Sequence, residues 1–348
     1  MMIYKSIVIK NIFYMLSYAY KVLNQNHYKK IELESFEHMS DLFAEILIKA
    51  VTKQLKQGLF KNYNEMTDSI TTVRGKININ KTFQNRVQRN QLITCEFDEL
   101  SANNIYNQIL KRSLLVLLYD YDVIEAKKVK IKRLLNYFED IDAIELERID
   151  WSQLEYHRNN GSYEMILNLC KILIESKLQS TESGELKFQM FTDDNMALLY
   201  ERFVREYYKK HYPNYEITST HINWRLDNKT EHKDFKLLPI MKSDIVITRG
   251  NKTLIIDTKF YTNILTDFQK FHSPNLYQIF TYVKNYDRDS KNEVAGMLLY
   301  AKTENDIDIS SVYNMDGNNI YVKTIDLNQD FNHIKYQLDN VINEYFNL

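Results

Sequence analysis

The segment LLPIMKSDIVITRGNKTLIIDTKFY, residues 237–261, carries the residue types that phosphate chemistry needs. Asp244 opens one apolar run and Asp257 closes the next, with Arg249-Gly250-Asn251 as the turn between them. Side chains on a strand alternate with a period of two, so Asp257 and Lys259 share a face. In a hairpin, Asp244 and Asp257 then meet at one edge of the sheet. Two carboxylates held together repel unless a cation lies between them, and oxygen donors of this kind suit Mg2+. Lys259 beside them offers a point charge to a phosphate, or positions the attacking water. The spacing D-x12-D-x-K by itself also fits a surface hairpin with solvated charges. Here IVI and LII adjoin the acids. The charges therefore sit where strands are buried, and unpaired buried charge is expensive.

Two further segments bear on the same site. NLYQIFTYV sets Asn275, Gln278 and Tyr282 on one helix, where Gln278 and Tyr282 are i,i+4 neighbours on a common face. That face fits a phosphate or the water shell of a metal; taken alone it also fits the polar rim of an amphipathic helix. In MALLYERF, Glu201 is a candidate third carboxylate reaching toward the metal, and Glu206 competes with it for that role.

The elements that must hold these residues follow from periodicity. Apolar spacing of three and four predicts helices over 11–25, 36–58, 102–120, 122–138, 163–178, 194–210 and 275–286, with a terminal helix at 329–346. In the second of these, Phe36, Met39, Phe43, Ile46 and Leu47 form one stripe. Alternation predicts two or more strands within 69–97 around a turn at Gly75. Further strands are expected at 186–191, 215–220, 235–241, 243–248, 253–260, 294–301 and 319–326. Asn159-Asn160-Gly161 is a turn signal, and a domain boundary is expected near it. The expected class is α/β (α+β), with a mixed sheet flanked by helices in the second half and a mixed helix/strand domain before it.

Composition excludes several classes. Lys plus Arg is 45 against 46 Asp plus Glu, a formal net charge of −1, so no polybasic field draws the chain to nucleic acid. Seven glycines and three prolines are few, and no two glycines form a Rossmann fingerprint or a Walker A loop. Nucleotide chemistry would have to come from a partner. Cys95 and Cys170 read as small core hydrophobes and build neither a disulfide framework nor a cysteine zinc site. No apolar run approaches a bilayer span. Lys5 and Lys10 before Ile12–Tyr20 imitate a signal peptide only faintly, and a cytoplasmic protein is expected.

Charge is uneven in the first half. Residues 69–95 hold Arg74, Lys76, Lys81, Arg86 and Arg89 and no acid. They fit equally a solvated face and a surface that meets phosphate or a partner. Lys127, Lys128, Lys130, Lys132 and Arg133 read as a solvated face, partly neutralised by Asp120, Asp122 and Glu125.

Asp244…Asp257-Thr258-Lys259 followed by Gln278-x-x-x-Tyr282 resembles the core of the PD-(D/E)XK nucleases, in the variant with a Q-x-x-x-Y helix. NIFYMLSYAY, VRGKI at 73–77, FDELSANNIYNQILKRSL at 97–114, LLPIMKSDI and LIIDTKFY together resemble the McrC family, over nearly the whole chain. One departure is Ser243, which stands before Asp244 where many of these nucleases have proline. The resemblance implies a Mg2+-dependent DNA endonuclease subunit of an McrBC-like restriction system. Asp244, Asp257, the Thr258 carbonyl and Glu201 would hold the metal, Lys259 would activate water and stabilise charge, and Gln278 and Tyr282 would position the phosphate or the metal's water. It implies a domain at 1–160 that engages an McrB-like AAA+ GTPase ring, and a nuclease domain at 161–348. The ring, not this chain, would bind GTP, and the substrate would be double-stranded DNA with modified cytosine. The alternatives are a non-catalytic activator of the ring and a stand-alone RecB-like nuclease.

Overall fold

The computed structural model describes residues 3–4, 7–19, 36, 38–157, 160–182, 193–226, 237–261, 264–266, 268–287, 293–302 and 307–347. Contacts group them into two units, Met1–Leu42 with Phe191–Leu348, and Phe43–Met190. That division differs from the boundary at 160 expected from the turn signal. The reason lies at the N-terminus. Strands β1 (Ile3–Tyr4) and β2 (Ile7–Val8) lead into helix α1 (Ile9–Ala19), which buries Ile12, Phe13, Met15 and Leu16. Asn11 of α1 donates its amide to the carbonyls of Leu327 (2.8 Å) and Gln329 (2.7 Å), which ties it to the C-terminal part of the chain. The helix expected over 11–25 is seen to Ala19; its remainder lies outside the described residues.

Helix α2 (Met39–Gln57) follows, and its anticipated stripe of Phe36, Met39, Phe43, Ile46 and Leu47 is buried. In the second unit, β3 (Asn62–Ile70), β4 (Lys76–Ile77) and β5 (Ile93–Ser101) form an antiparallel sheet in the order β3-β5-β4. Gly75, at φ +66°, lies where an added Cβ would run into the Glu96 carbonyl and come 2.8 Å from Phe97 Cβ. Any side chain there would clash. Between β4 and β5 lies a helix, α3 (Ile79–Val87), where only strands were anticipated. Asn78 caps it, its side-chain oxygen accepting from the Lys81 amide at 3.1 Å. The Asn85 amide fastens it to the hydroxyls of Ser69 (3.1 Å) and Thr94 (2.9 Å). The β-branched letters masked a capped helix with apolar spacing of four. Helices α4 (Ile105–Leu118), α5 (Glu125–Leu135) and α6 (Gly161–Glu182) complete this unit. α4, which buries Leu110, Leu114 and Leu117, packs against α6, which buries Leu167, Cys170 and Leu173. Tyr163 of α6 donates its hydroxyl to Asn107 of α4 at 2.7 Å.

The other unit continues with α7 (Asp193–His211), β6 (Glu216–Thr218), β7 (His221–Ile222), β8 (Met241–Lys242), β9 (Ile245–Arg249) and β10 (Lys252–Phe260). Then come α8 (Ser273–Tyr286), β11 (Val294–Lys302), β12 (Ser310–Met315), β13 (Asn318–Asp326) and α9 (Phe331–Phe346). A six-stranded mixed sheet runs β12-β13-β11-β10-β9-β6, with β10 parallel to β11 and β11 parallel to β13. The strands expected at 215–220, 243–248, 253–260, 294–301 and 319–326 are present in it; 186–191 and 235–236 lie outside the described residues, and Met241 belongs to a separate β7–β8 pair. Residues 237–240 are not strand, and β12 is an additional edge strand.

Both faces of the sheet are covered, which explains the continuous apolar runs in β9 to β11. Val246, Ile255, Leu298, Ile320 and Val322 meet Ile279, Tyr282 and Val283 of α8 on one face. The alternating residues, such as Ile247, Leu254, Ile256 and Leu299, are buried on the other, where α7 packs against β10 and α9 against β13. Tyr208 of α7 donates to the Leu338 carbonyl of α9 at 3.1 Å.

Candidate active site

The β9–β10 hairpin turns at Gly250, whose φ of +62° favours glycine. Its register pairs Ile256 with Ile245, so the next step brings Asp257 opposite Asp244 at the mouth of the hairpin. Asp244 Oδ2 accepts from the Thr258 amide at 2.7 Å and from its hydroxyl at 2.8 Å. Thr258 is therefore seen as a donor that orients Asp244. Asp257 is 1% exposed. Lys259 Nζ lies 2.6 Å from its Oδ2 as an ion pair outside hydrogen-bond geometry, and neither Asp257 oxygen has a hydrogen-bond partner. Burial first, and repulsion by Asp244 next, hold the Asp257 carboxyl above the ordinary range despite the lysine. Burial opposes charge on Lys259, but the attraction of Asp257 outweighs it and keeps the ammonium protonated above its usual range.

Helix α8 supplies a directional chain. Tyr282 donates its hydroxyl to the Lys242 carbonyl at 3.0 Å, so its oxygen is left to accept, and the Gln278 Nε2 donates to it at 2.8 Å. This fixes the amide with Oε1 toward Lys259, whose Nζ donates to it at 3.1 Å. Gln278 and Tyr282 thus aim Lys259. The backbone end of the chain, at Lys242, has no signature in the sequence.

From α7, Glu201 comes within electrostatic reach of Asp244 and Asp257; burial and then Asp244 raise its pKa, while Arg205, 2.6 Å away, lowers it. Glu206 instead pairs with Lys209 at 3.2 Å. Arg205 was missed from the sequence, although its i,i+4 spacing from Glu201 was readable. The structure thus gathers Glu201, Asp244, Asp257, Thr258, Lys259, Gln278 and Tyr282 within one unit. Among the described residues, no three His, Cys, Asp or Glu side chains stand ready as a cation cage. The orphaned oxygens of buried Asp257 and the all-oxygen donor set nonetheless fit Mg2+, which binds through one or two carboxylates.

A second candidate surface lies on α3, which buries no residue. Ile79, Phe83 and Val87 recur every four positions and are 77%, 68% and 68% exposed. The acid-free basic stretch surrounds them, with Arg74 lying over the Phe97 ring at 4.2 Å. Exposed apolar patches are a feature that partner-binding surfaces share.

Comparison with known proteins places the chain. The sequence family described as McrBC 5-methylcytosine restriction system component matches residues 5–301. The chain is 26% identical over 344 residues to the type IV methyl-directed restriction enzyme EcoKMcrBC of Escherichia coli (strain K12), across 97% of this chain and 98% of that relative. Its fold is similar to that of a chain in the refined half-complex from the tetradecameric assembly of Thermococcus gammatolerans McrB AAA+ hexamers with bound McrC. The TM-score is 0.52 at 16% identity, over 96% of this chain and 76% of that one. Among the described residues, no helix is long and apolar enough to cross a membrane.

Proposed function

Because the chain belongs to the McrBC 5-methylcytosine restriction system component family, we propose that it is the nuclease subunit of such a system. It hydrolyses phosphodiester bonds of double-stranded DNA carrying modified cytosine, in the cytoplasm, when assembled with a GTP-hydrolysing McrB-like AAA+ ring. The observation that carries this reading is Asp257: a buried carboxylate, orphaned at both oxygens and adjoining a protonated lysine, is costly unless a cation and a phosphate use it.

Asp244 and Asp257 would hold Mg2+, with Glu201 and the Thr258 carbonyl as further ligands once the ion draws them in, because the three carboxylates form no ready cage by themselves. When bound, the ion supplies Lewis-acid stabilisation of phosphate charge and a more acidic water. Lys259 has three N–H donors; one goes to Gln278, and its charge offsets Asp257 2.6 Å away, which leaves a donor for a phosphate oxygen as charge builds on it. Thr258 holds Asp244 in place, and Gln278 with Tyr282 keeps the ammonium aimed. The unit with α3 engages the ring and stimulates its GTPase, its exposed stripe being the surface that fits a protein partner.

The test is cleavage of cytosine-methylated and unmethylated DNA with Mg2+ and GTP. It compares the chain alone, the chain with its AAA+ partner, and that pair carrying Asp257→Ala. Cutting of methylated DNA by the intact pair and its loss in the variant are expected. Cutting that survives Asp257→Ala removes the active site from this hairpin.

A further inference from the structure

The stripe of α8 that faces the sheet consists of Asn275, Ile279, Tyr282 and Val283, all buried. Asn275 is the odd member, because an ordinary core would place an apolar side chain there. Its amide is satisfied by two phenols. Nδ2 donates to the Tyr300 hydroxyl at 3.0 Å, and Oδ1 accepts from the Tyr261 hydroxyl at 3.2 Å. Both tyrosines flank Lys259. Tyr300 is its register partner on the neighbouring parallel strand β11. Tyr261 follows it by two residues along the same chain, with its ring 6.2 Å from that of Tyr300. No hydrogen bond joins either phenol to the ammonium, and Asn275 and Tyr300 are buried, so neither of these two reaches a substrate.

The cluster can instead set where α8 lies along the strands. Apolar packing of Ile279 and Val283 fixes the distance of the helix from the sheet but tolerates sliding. Hydrogen bonds to two hydroxyls, one on β11 and one just past the end of β10, do not. Gln278 is one turn beyond Asn275, and each residue of an α-helix advances about 1.5 Å and rotates about 100°. A small slip would therefore carry Gln278 Oε1 out of reach of Lys259. We propose that Asn275, held by Tyr261 and Tyr300, is a positioning residue that registers α8 on the sheet and, through Gln278, aims Lys259. This rests on reading Lys259 as part of a phosphodiesterase site.

The experiment is a double-mutant cycle of Asn275→Leu and Gln278→Ala in the full chain with its AAA+ partner, read by single-turnover DNA cleavage and by KM for DNA. Asn275→Leu is expected to slow cleavage about 10- to 100-fold at unchanged KM, since a misplacement of about 1 Å can cost about 100-fold in other sites. The double variant is expected to be no slower than Gln278→Ala alone. Tyr300→Phe, which keeps the ring, reproduces the effect in part. A second readout needs no activity: the Gln278 side-chain amide resonance, assigned by its loss in Gln278→Ala, shifts in Asn275→Leu. Multiplying rate effects, or an unmoved Gln278 resonance, overturn the proposal. If the wild type does not cut while the resonance still shifts, the nuclease reading fails and the registering role stands.

Discussion

Replacing Asp257 by asparagine separates a carboxylate kept for a cation from one kept for the fold. Without metal, ionised Asp257 is buried, lacks a hydrogen bond on either oxygen, and faces Asp244 and Glu201. Lys259 offsets part of this cost. The carboxyl is nevertheless held above its ordinary range, and that net sign already includes the lysine. Each pKa unit corresponds to about 1.4 kcal/mol. Neutral asparagine should therefore stabilise the metal-free protein by about 1–3 kcal/mol above neutral pH. At about 2–4 °C per kcal/mol, Tm should rise by roughly 2–12 °C. The pH dependence has a definite sign. Between the ordinary carboxylate pKa and the raised one, the folded state holds more protons than the unfolded state. Wild-type stability thus falls as pH rises through that window, and the fall is absent from Asp257→Asn. An ion that binds only the folded state restores what burial costs. Thermal melts across pH, in EDTA and in millimolar Mg2+, read all of this. Wild type should gain from Mg2+ and the variant should not. A variant that melts below wild type in EDTA, or that gains as much from Mg2+, refutes the argument.

Tyr282→Phe removes the donor to the Lys242 carbonyl and frees the Gln278 amide to rotate. Cleavage is expected to slow about 10-fold at unchanged KM for DNA, measured under single-turnover conditions. Gly296→Ala places a Cβ 2.7–2.9 Å from Ile279 and Val283 of α8 and from Ile320 of β13. Overpacking there should cost about 1–3 kcal/mol in urea unfolding, and an unchanged midpoint would show that α8 yields more easily than the geometry says. Phe83→Asp alters a helix with no buried residue, so Tm should hold while co-purification with the AAA+ partner falls. Undiminished co-purification would move the partner surface off α3.

Local chemistry made much of the site legible. Asp244, Asp257 and Lys259 could be placed together from a hairpin turn and a period of two, because strand alternation is fixed by covalent geometry. The i,i+4 spacing of Gln278 and Tyr282 likewise set them on one face. What those two side chains touch was not legible. The sequence suggested a phosphate or a metal's water, whereas they lead from a backbone carbonyl to Lys259. A carbonyl leaves no letter to read. α3 was missed because Ile77, Ile79 and Val87 favour strands in isolation, and the Asn78 cap with its contacts to β5 decided otherwise.

Long-range pairing belonged to the tertiary structure alone. An amphipathic α1 announces that it will be buried but not against what. Asn11 reaching Leu327 and Gln329, more than three hundred residues away, makes the first unit discontinuous in sequence. Nor could spacing single out Asn275, since an asparagine in a helix reads as polar surface until a tyrosine of β11 and one just past β10 close on it. The sequence by itself determined which residues could do chemistry and which faces would be apolar, because both follow from side-chain type and local periodicity. Which faces meet, and toward which atom each amide and ammonium points, only the fold decided, because those depend on contacts between segments far apart along the chain.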